Sequence, residues 1–331
     1  CRTAGRRPGR PGYWRRGALS IVEQYSHSFL DNAHEALQDK KDVARRDMMG
    51  KFLPLVRDMA VNQFGDFEGL RQQVKQVRQH CLDNLDFYLA QFEQEALRNG
   101  NQVHFARNSE EMNGVVLDIC QQHGARRVAK GKSMVTEETG LNDALGRAGL
   151  DVVETDLGEY IIQLAGERPS HIIAPAIHKT RKDIGRLFTD KIGISYTEDP
   201  PRLTRAARKS LRRKFLAADM GFSGCNIACA ETGHILTVSN EGNIRMSTTM
   251  PRVHVAIMGM ERVAARLEDH DVLLRLLCRG AAAQNMGTYA SYIGGPRYKN
   301  QVDGPEEFHL VILDNGRSRI LADEEFREML Y

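Results

Sequence analysis

The sequence predicts an α/β protein, with a mostly parallel sheet flanked by helices and a helical appendage on its N-terminal side. Three observations carry this expectation. Up to Gly100 the apolar residues recur at spacings of three and four, the mark of amphipathic helices. From residue 101 short apolar strands alternate with helical stretches, and β-α-β alternation implies a parallel sheet covered on both faces. Polar caps and glycines fall where these stretches meet, at Ser109, Gly124 and Asp199.

Residues 1–19 stand apart. They hold six arginines and no acid, and the run CRTAGRRPGRPGYWRRG is rich in Gly and Pro without periodicity. Such a segment cannot bury a core, and a disordered basic extension is expected. It also accounts for the net charge of +3, since the remainder carries 40 basic against 43 acidic residues, or −3. No nucleic-acid partner is expected. No apolar run approaches the roughly 18 residues that a membrane span needs. The first stretch lacks the apolar core of a signal peptide, so a cytoplasmic protein is expected.

Residues 20–100 read as the helical appendage. Two weaker helices around 22–38 and 42–62 precede one long amphipathic helix. Its stripe is Leu70, Val74, Val77, Cys81, Leu85, Tyr88 and Phe92, and it ends at Asn99-Gly100.

Residues 101–331 read as the main domain. A strand at 102–106 is followed by a helix capped by Ser109, with Met112, Val115, Val116, Ile119 and Cys120 inward and Gly124 as its stop. Strands follow at 127–129, 151–154 and 171–174, with a helix at 141–148. The helix at 201–218 has Asp199 as cap and prolines in its first turn. Its inner stripe is Leu203, Ala207, Leu211 and Phe215, while Arg202, Arg205, Arg208, Lys209, Arg212, Arg213 and Lys214 cover the rest. That cover suits a solvated face or a docking face for an anionic partner. Strands at 225–230 and 234–239 flank a tight Glu231-Thr232-Gly233 turn. A buried strand at 253–258, a helix at 272–278 closed by Gly280, a strand at 308–313 and a last helix opened by Asp323 complete the pattern.

The six cysteines are Cys1, Cys81, Cys120, Cys225, Cys229 and Cys278. Cys81, Cys120 and Cys278 fall on apolar helical faces, where a thiol behaves as a small hydrophobe. Cys225 and Cys229 share one strand face but lack the close C-x-x-C pairing of zinc or cluster sites. No metal and no cluster is expected in residues 1–331.

Ligands of parallel sheets bind beyond the carboxyl ends of the strands, which selects the loops to read. Lys130-Gly131-Lys132-Ser133 follows one strand. It is not a Walker A loop, because position 126, where that loop needs glycine, is Arg126. Lys130, Lys132 and Ser133 near a helix start suit an anion, or else form a solvated turn. Asp156 and Glu159, after the next strand, suit a cation, a ribose hydroxyl or general-base work, and Asp156 alternatively caps a helix. His178 suits proton transfer or anion binding. Glu231, between apolar strands, is a candidate base or nucleophile with a raised pKa, or caps its turn. Asn240, Asn243, Arg245 and Thr248 supply donors for an oxygen-rich ligand. Metalloprotease, serine-hydrolase and dinucleotide-binding signatures are absent.

Taken together, the stretches KGKSMVTEETGLN, VVETDLGEYIIQLAGERPSHIIAPAIHKTR, AETGHILTVSNEGNIRMSTTMPRVHVAIMGMER and DGPEEFHLVILDNGRSRILADEEFREMLY closely resemble the lactate utilization protein B family, in order, over about residues 20–331. The resemblance implies a LUD domain, with a fold similar to glucosamine-6-phosphate deaminase, ribose-5-phosphate isomerase and CoA transferases. It implies a component of a system that oxidises L-lactate to pyruvate. Its electrons would pass through [4Fe–4S] clusters held by a ferredoxin-type cysteine segment expected beyond residue 331. The implied partners are two other lactate utilization proteins, a cysteine-rich subunit and a second LUD-domain subunit. A LUD domain that is itself an enzyme for a small carboxylate, CoA ester or sugar phosphate is the alternative. The chain departs from the family's pattern at Gly131, where a serine is usual and where glycine implies a more flexible loop. It departs again at His234, where the family has a small or hydroxyl residue.

Overall fold

The computed structural model describes residues 29–38, 40–167, 169 and 174–331. The basic segment 1–19 lies outside the described residues, as does the strand expected at 171–174 apart from Ala174. Helices α1 (Phe29–Gln38) and α2 (Lys40–Asn62) come first. The long helix expected through Leu70 and Phe92 is instead two helices, α3 (Phe67–Asp83) and α4 (Leu85–Arg98). Asn84 breaks it by leaving helical geometry at φ −123°, ψ 35° while its amide donates to the His80 carbonyl. Asp83 and Asn84 are weak helix formers whose side chains compete for backbone groups. The apolar period runs through the break because Leu82 and Leu85 are both buried, which is why periodicity alone conceals it.

The chain then alternates. β1 (Gln102–Ala106) leads to α5 (Ser109–Gln122), and β2 (Arg127–Lys130) to α6 (Met134–Glu138) and α7 (Leu141–Arg147). β3 (Asp151–Glu154) leads to α8 (Leu157–Ala165), α9 (Arg181–Ile192) and α10 (Pro200–Ala217). β4 (Met220–Gly224) continues into β5 (Ile227–Cys229), β6 (Ile235–Ser239) and α11 (Asn243–Thr249). After β7 (Val253–Gly259) come β8 (Val263–Ala264), α12 (Leu267–Ala282), β9 (Tyr289–Ile293), β10 (Glu307–Leu313) and α13 (Arg317–Ala322).

Six strands form one sheet in the order β1-β10-β7-β4-β2-β3, and every neighbouring pair is parallel. The period of two sends Val128, Phe222, Val255 and Val311 to one face, where α5 supplies Met112 and Val116 and α7 supplies Leu141 and Leu145. On the other face Ala129 and Val153 meet Tyr160, Phe188, Leu203 and Leu211 from α8, α9 and α10. Farther along that face, Met258, Phe308, Leu310 and Ile312 meet Phe92 and Ala96 of α4. The mostly parallel sheet with helices on both faces is as the sequence predicts.

A second sheet, ordered β8-β5-β6-β9, packs against the first. The hairpin around Glu231 is its antiparallel β5–β6 pair, registered as Ala228↔Ile235. Its edge strand β9 has a largely exposed pattern and no apolar alternation to announce it. Several boundaries differ from expectation. The cap of α5 is Asn108, whose side chain accepts the Glu111 amide at 3.0 Å, and Ser109 is already the first helical residue. Gly280 lies inside α12, which ends at Ala283 in the left-handed region (φ 54°), its amide bonded to the Arg279 carbonyl. Asp323 follows α13 and accepts amides from Glu325 and Phe326 in a turn rather than opening a long helix. Among the described residues no helix is long and apolar enough to cross a membrane.

Candidate functional site

After β2 the chain crosses to one face of the sheet, and after β3 to the other. Adjacent connections that part in this way open a crevice at the carboxyl ends of the strands. Lys130 and Glu154 are the last residues of β2 and β3 and lie side by side in register. Their side chains form a buried ion pair, Nζ to Oε1 2.7 Å, and Asn142 of α7 donates to the same oxygen at 2.7 Å. The other carboxylate oxygen of Glu154 is buried without a hydrogen-bond partner.

Glu159 stands in the first turn of α8 with its side chain 6% exposed, its Oε1 3.6 Å from Lys132 Nζ. Its carboxyl is pushed up to about 7, first by burial, then by the neighbouring Glu137 and Glu154, against the pull of Lys132 and Lys130. Burial likewise raises Glu137 in α6, with Lys130 opposing. Three carboxyls and two ammonium groups thus meet at the strand ends, and Glu159 divides between its two protonation states at neutral pH. A group so poised can take up or release a proton during a reaction.

The polar floor beneath is tied to backbone. Thr155 donates its hydroxyl to the Lys130 carbonyl at 2.9 Å, and Asn243 of α11 donates to Thr155 Oγ1 at 3.3 Å. Ser239 donates to Asn243 Oδ1, and Ser133 is buried at the start of α6. Gly131 is not a flexible link. It donates to the Phe222 carbonyl at 2.8 Å, and a Cβ there would meet Ile244 Cγ1 at 3.2 Å. Close packing against α11, rather than mobility, is the property that glycine supplies.

Of the residues singled out in the sequence, Lys130, Lys132, Ser133, Glu159 and Asn243 belong to this cluster. Asp156 is the cap of α8, accepting the Glu159 amide at 3.1 Å. The remaining residues are placed elsewhere or are already engaged. His178 pairs with Glu167 at 2.8 Å. Asn240 bridges to Gln284 and Thr288, Arg245 is exposed on α11, and the Thr248 hydroxyl returns to the Arg245 carbonyl. Glu231 is exposed rather than enclosed between apolar strands. Its carboxylate accepts the Leu267 amide at 3.0 Å, at the start of α12, and it shares no ion pair or hydrogen bond with the Lys130–Glu154 pair. It thus caps the start of α12, not its own turn as expected.

Sequence reading missed Glu137, Asn142, Glu154 and Thr155. Glu154 was legible as an acid closing an apolar strand, directly before a loop at the carboxyl end of the sheet. It missed also a second buried network beyond the ends of β7 and β10. There Arg317 Nε meets Glu261 at 2.6 Å and its Nη2 meets Glu138 at 2.9 Å. Surface clefts on α10, lined by Pro200, Pro201, Thr204, Arg205 and Arg208, hold no carboxyl to pair with a base. Cys81, Cys120, Cys229 and Cys278 are buried singly in the described chain. Among the described residues, the group of potential ligands within reach of one ion contains no thiol.

The fold and this cluster define a parallel α/β domain with buried acidic and basic side chains grouped at its strand ends. The LUD domain family matches residues 89–313, and the chain belongs to it. The chain is 47% identical over 274 residues to "Uncharacterized electron transport protein YkgF" of Escherichia coli K12, covering 83% of this chain and 58% of that protein. It is 45% identical over 271 residues to "Lactate utilization protein B" of Bacillus cereus AH820, covering 82% and 57%. The chain therefore spans under two thirds of the length of these relatives. A solved DUF162 family protein from Deinococcus radiodurans aligns with a TM-score of 0.40 at 15% identity, over 69% of this chain and 98% of that one.

Proposed function

We propose that the protein serves in L-lactate utilization and that its LUD cleft binds a small hydroxy- or keto-carboxylate. The observation that carries this is Glu159, buried, poised near neutrality and 3.6 Å from Lys132. In this reading Lys132 faces the ligand carboxylate, and Glu159 exchanges a proton with the adjacent hydroxyl or carbonyl oxygen. Binding weakens above pH 7, where Glu159 ionises and repels the anion. Base catalysis fades below pH 7, where Glu159 is protonated. With Glu159 as the base, turnover at saturating ligand would rise as pH climbs through its titration and then level off.

The names of the relatives support the wider role. The system would oxidise L-lactate to pyruvate, with electrons leaving through [4Fe–4S] clusters of the full-length protein held outside residues 1–331. The cysteine-rich subunit and second LUD-domain subunit implied by the family resemblance would be its partners. A sugar phosphate is the weaker alternative, because three carboxyls facing two lysines disfavour a dianion more than a monocarboxylate.

The test is lactate-dependent dye reduction by the full-length protein with its partners. Glu159→Gln should lower turnover by about 10²- to 10⁴-fold, the usual contribution of a positioned acid or base. Unchanged turnover would remove Glu159 from the chemistry.

A further inference from the structure

We infer that His123, Glu307 and His309 form a metal site of the zinc type at the amino-terminal end of the main sheet, at the end opposite the cleft. Glu307 and His309 are two apart on β10 and share a face, and His123 caps the carboxyl end of α5, the helix that covers that face. Nε2 of His123 lies 3.5 Å from Glu307 Oε2, and Nε2 of His309 lies 3.7 Å from the same oxygen. All three atoms are within 4.8 Å of one another. Ligand atoms about 2.0–2.2 Å from a tetrahedral ion stand about 3.3–3.6 Å apart. Both histidine–carboxylate separations are thus already near that spacing.

A second observation points the same way. His309 is 2% exposed, and its Nε2, facing Glu307, has no hydrogen-bond partner. A buried polar atom left so is costly, and an ion would satisfy it. Its other nitrogen, Nδ1, lies 3.1 Å from His104 Nε2 with the rings stacked. With the proton on Nδ1 and donated to His104, the Nε2 lone pair points at the ion, the usual second-sphere arrangement for a metal-bound histidine. Gln102 donates to Glu307 Oε2 at 3.1 Å and holds that oxygen in place.

Two imidazoles and a carboxylate suit Zn²⁺ rather than Mg²⁺ or Ca²⁺. The His123 and Glu307 side chains are 25% and 43% exposed, which leaves room for water at a fourth position. The ion would fasten the end of α5 to β10. Its ligands come from distant parts of the sequence, beyond the reach of a search for closely spaced cysteines, which expects no metal here.

The chain, stripped with a chelator and dialysed, would be titrated with Zn²⁺, and with Co²⁺ as a visible probe. One equivalent should bind, with the absorption of tetrahedral Co²⁺, and should raise Tm. His123→Ala and Glu307→Gln, both at partly exposed positions, should each weaken Zn²⁺ binding by at least about tenfold. His104→Gln should weaken it by about 10- to 100-fold through the second sphere. Circular dichroism would confirm that the variants fold. Absence of stoichiometric uptake, or uptake that neither His123→Ala nor Glu307→Gln diminishes, would overturn the site.

Discussion

Lys130 and Glu154 are each other's charge partner in a place that water does not reach. Removing one member of such a pair strands the other, whereas replacing both with apolar residues of similar size removes the desolvation cost along with the attraction. Lys130→Met should therefore destabilise the protein by about 3–5 kcal/mol. The double variant Lys130→Met/Glu154→Leu should recover most of that loss in denaturant melts. Glu159 acts in the opposite sense. Its carboxyl is raised from 4.5 to about 7 in the fold, so its favourable contribution is complete below 4.5 and lost as pH rises through 7. Glu159→Gln should thus stabilise the protein at pH 8.5 by an amount on the order of 3 kcal/mol and leave it unaltered near pH 4. Equal effects at both pH values would contradict the assigned burial. At this scale half the cluster was legible: Lys130, Lys132 and Glu159 lie at or just beyond the strand ends that the parallel-sheet rule selects. Glu231 misled because a hairpin between apolar strands suggests enclosure, while its turn packs on α4 and leaves the Glu231 side chain exposed beside α12.

The elements read well wherever local pattern decides them. The inner stripe of α10, Leu203, Ala207, Leu211 and Phe215, is buried as its spacing predicts, and its basic residues lie outward. Local pattern gives no warning of the break at Asn84, of β9, or of α11. The last is the short helix that seats Asn243, and it is fixed by tertiary contact. Gly221 on β4 permits this, since a Cβ there would fall 1.7 Å from the Ser247 carbonyl oxygen. Gly221→Ala should push α11 away from the sheet, at a cost of about 1–3 kcal/mol or more. It should also weaken ligand binding, because Asn243 would lose its reach to Thr155. A variant with wild-type Tm and affinity would show that α11 does not set the site.

At the scale of the whole molecule, a histidine buried against the main sheet shapes the acid side of the stability profile. His254 is fully buried between Ser223, 2.8 Å from its Nε2, and the stacked ring of Phe308. Burial, and secondarily His309, push its pKa down to about 3. Its contribution is therefore complete above 6.5 and is lost as pH falls toward 3, with a slope of about 1.4 kcal/mol per pH unit. His254→Gln should flatten the acid limb of the stability profile by about one proton. The architecture follows from alternation in the sequence, but the joining of the two sheets does not. Ala228, Ile235 and Val263 cluster with Phe308 only across long separations in the chain.

The account turns on a carboxylate bound against Lys132 and a protonated Glu159, and calorimetric titration of the chain with L-lactate and pyruvate across pH 6–9 tests it most directly. Affinity should fall by about tenfold per pH unit above 7, as the competent protonated fraction shrinks. Glu159→Gln should abolish that dependence, and Lys132→Met should abolish binding. Affinity independent of pH, or untouched by Lys132→Met, would contradict the cleft as the site of the carboxylate.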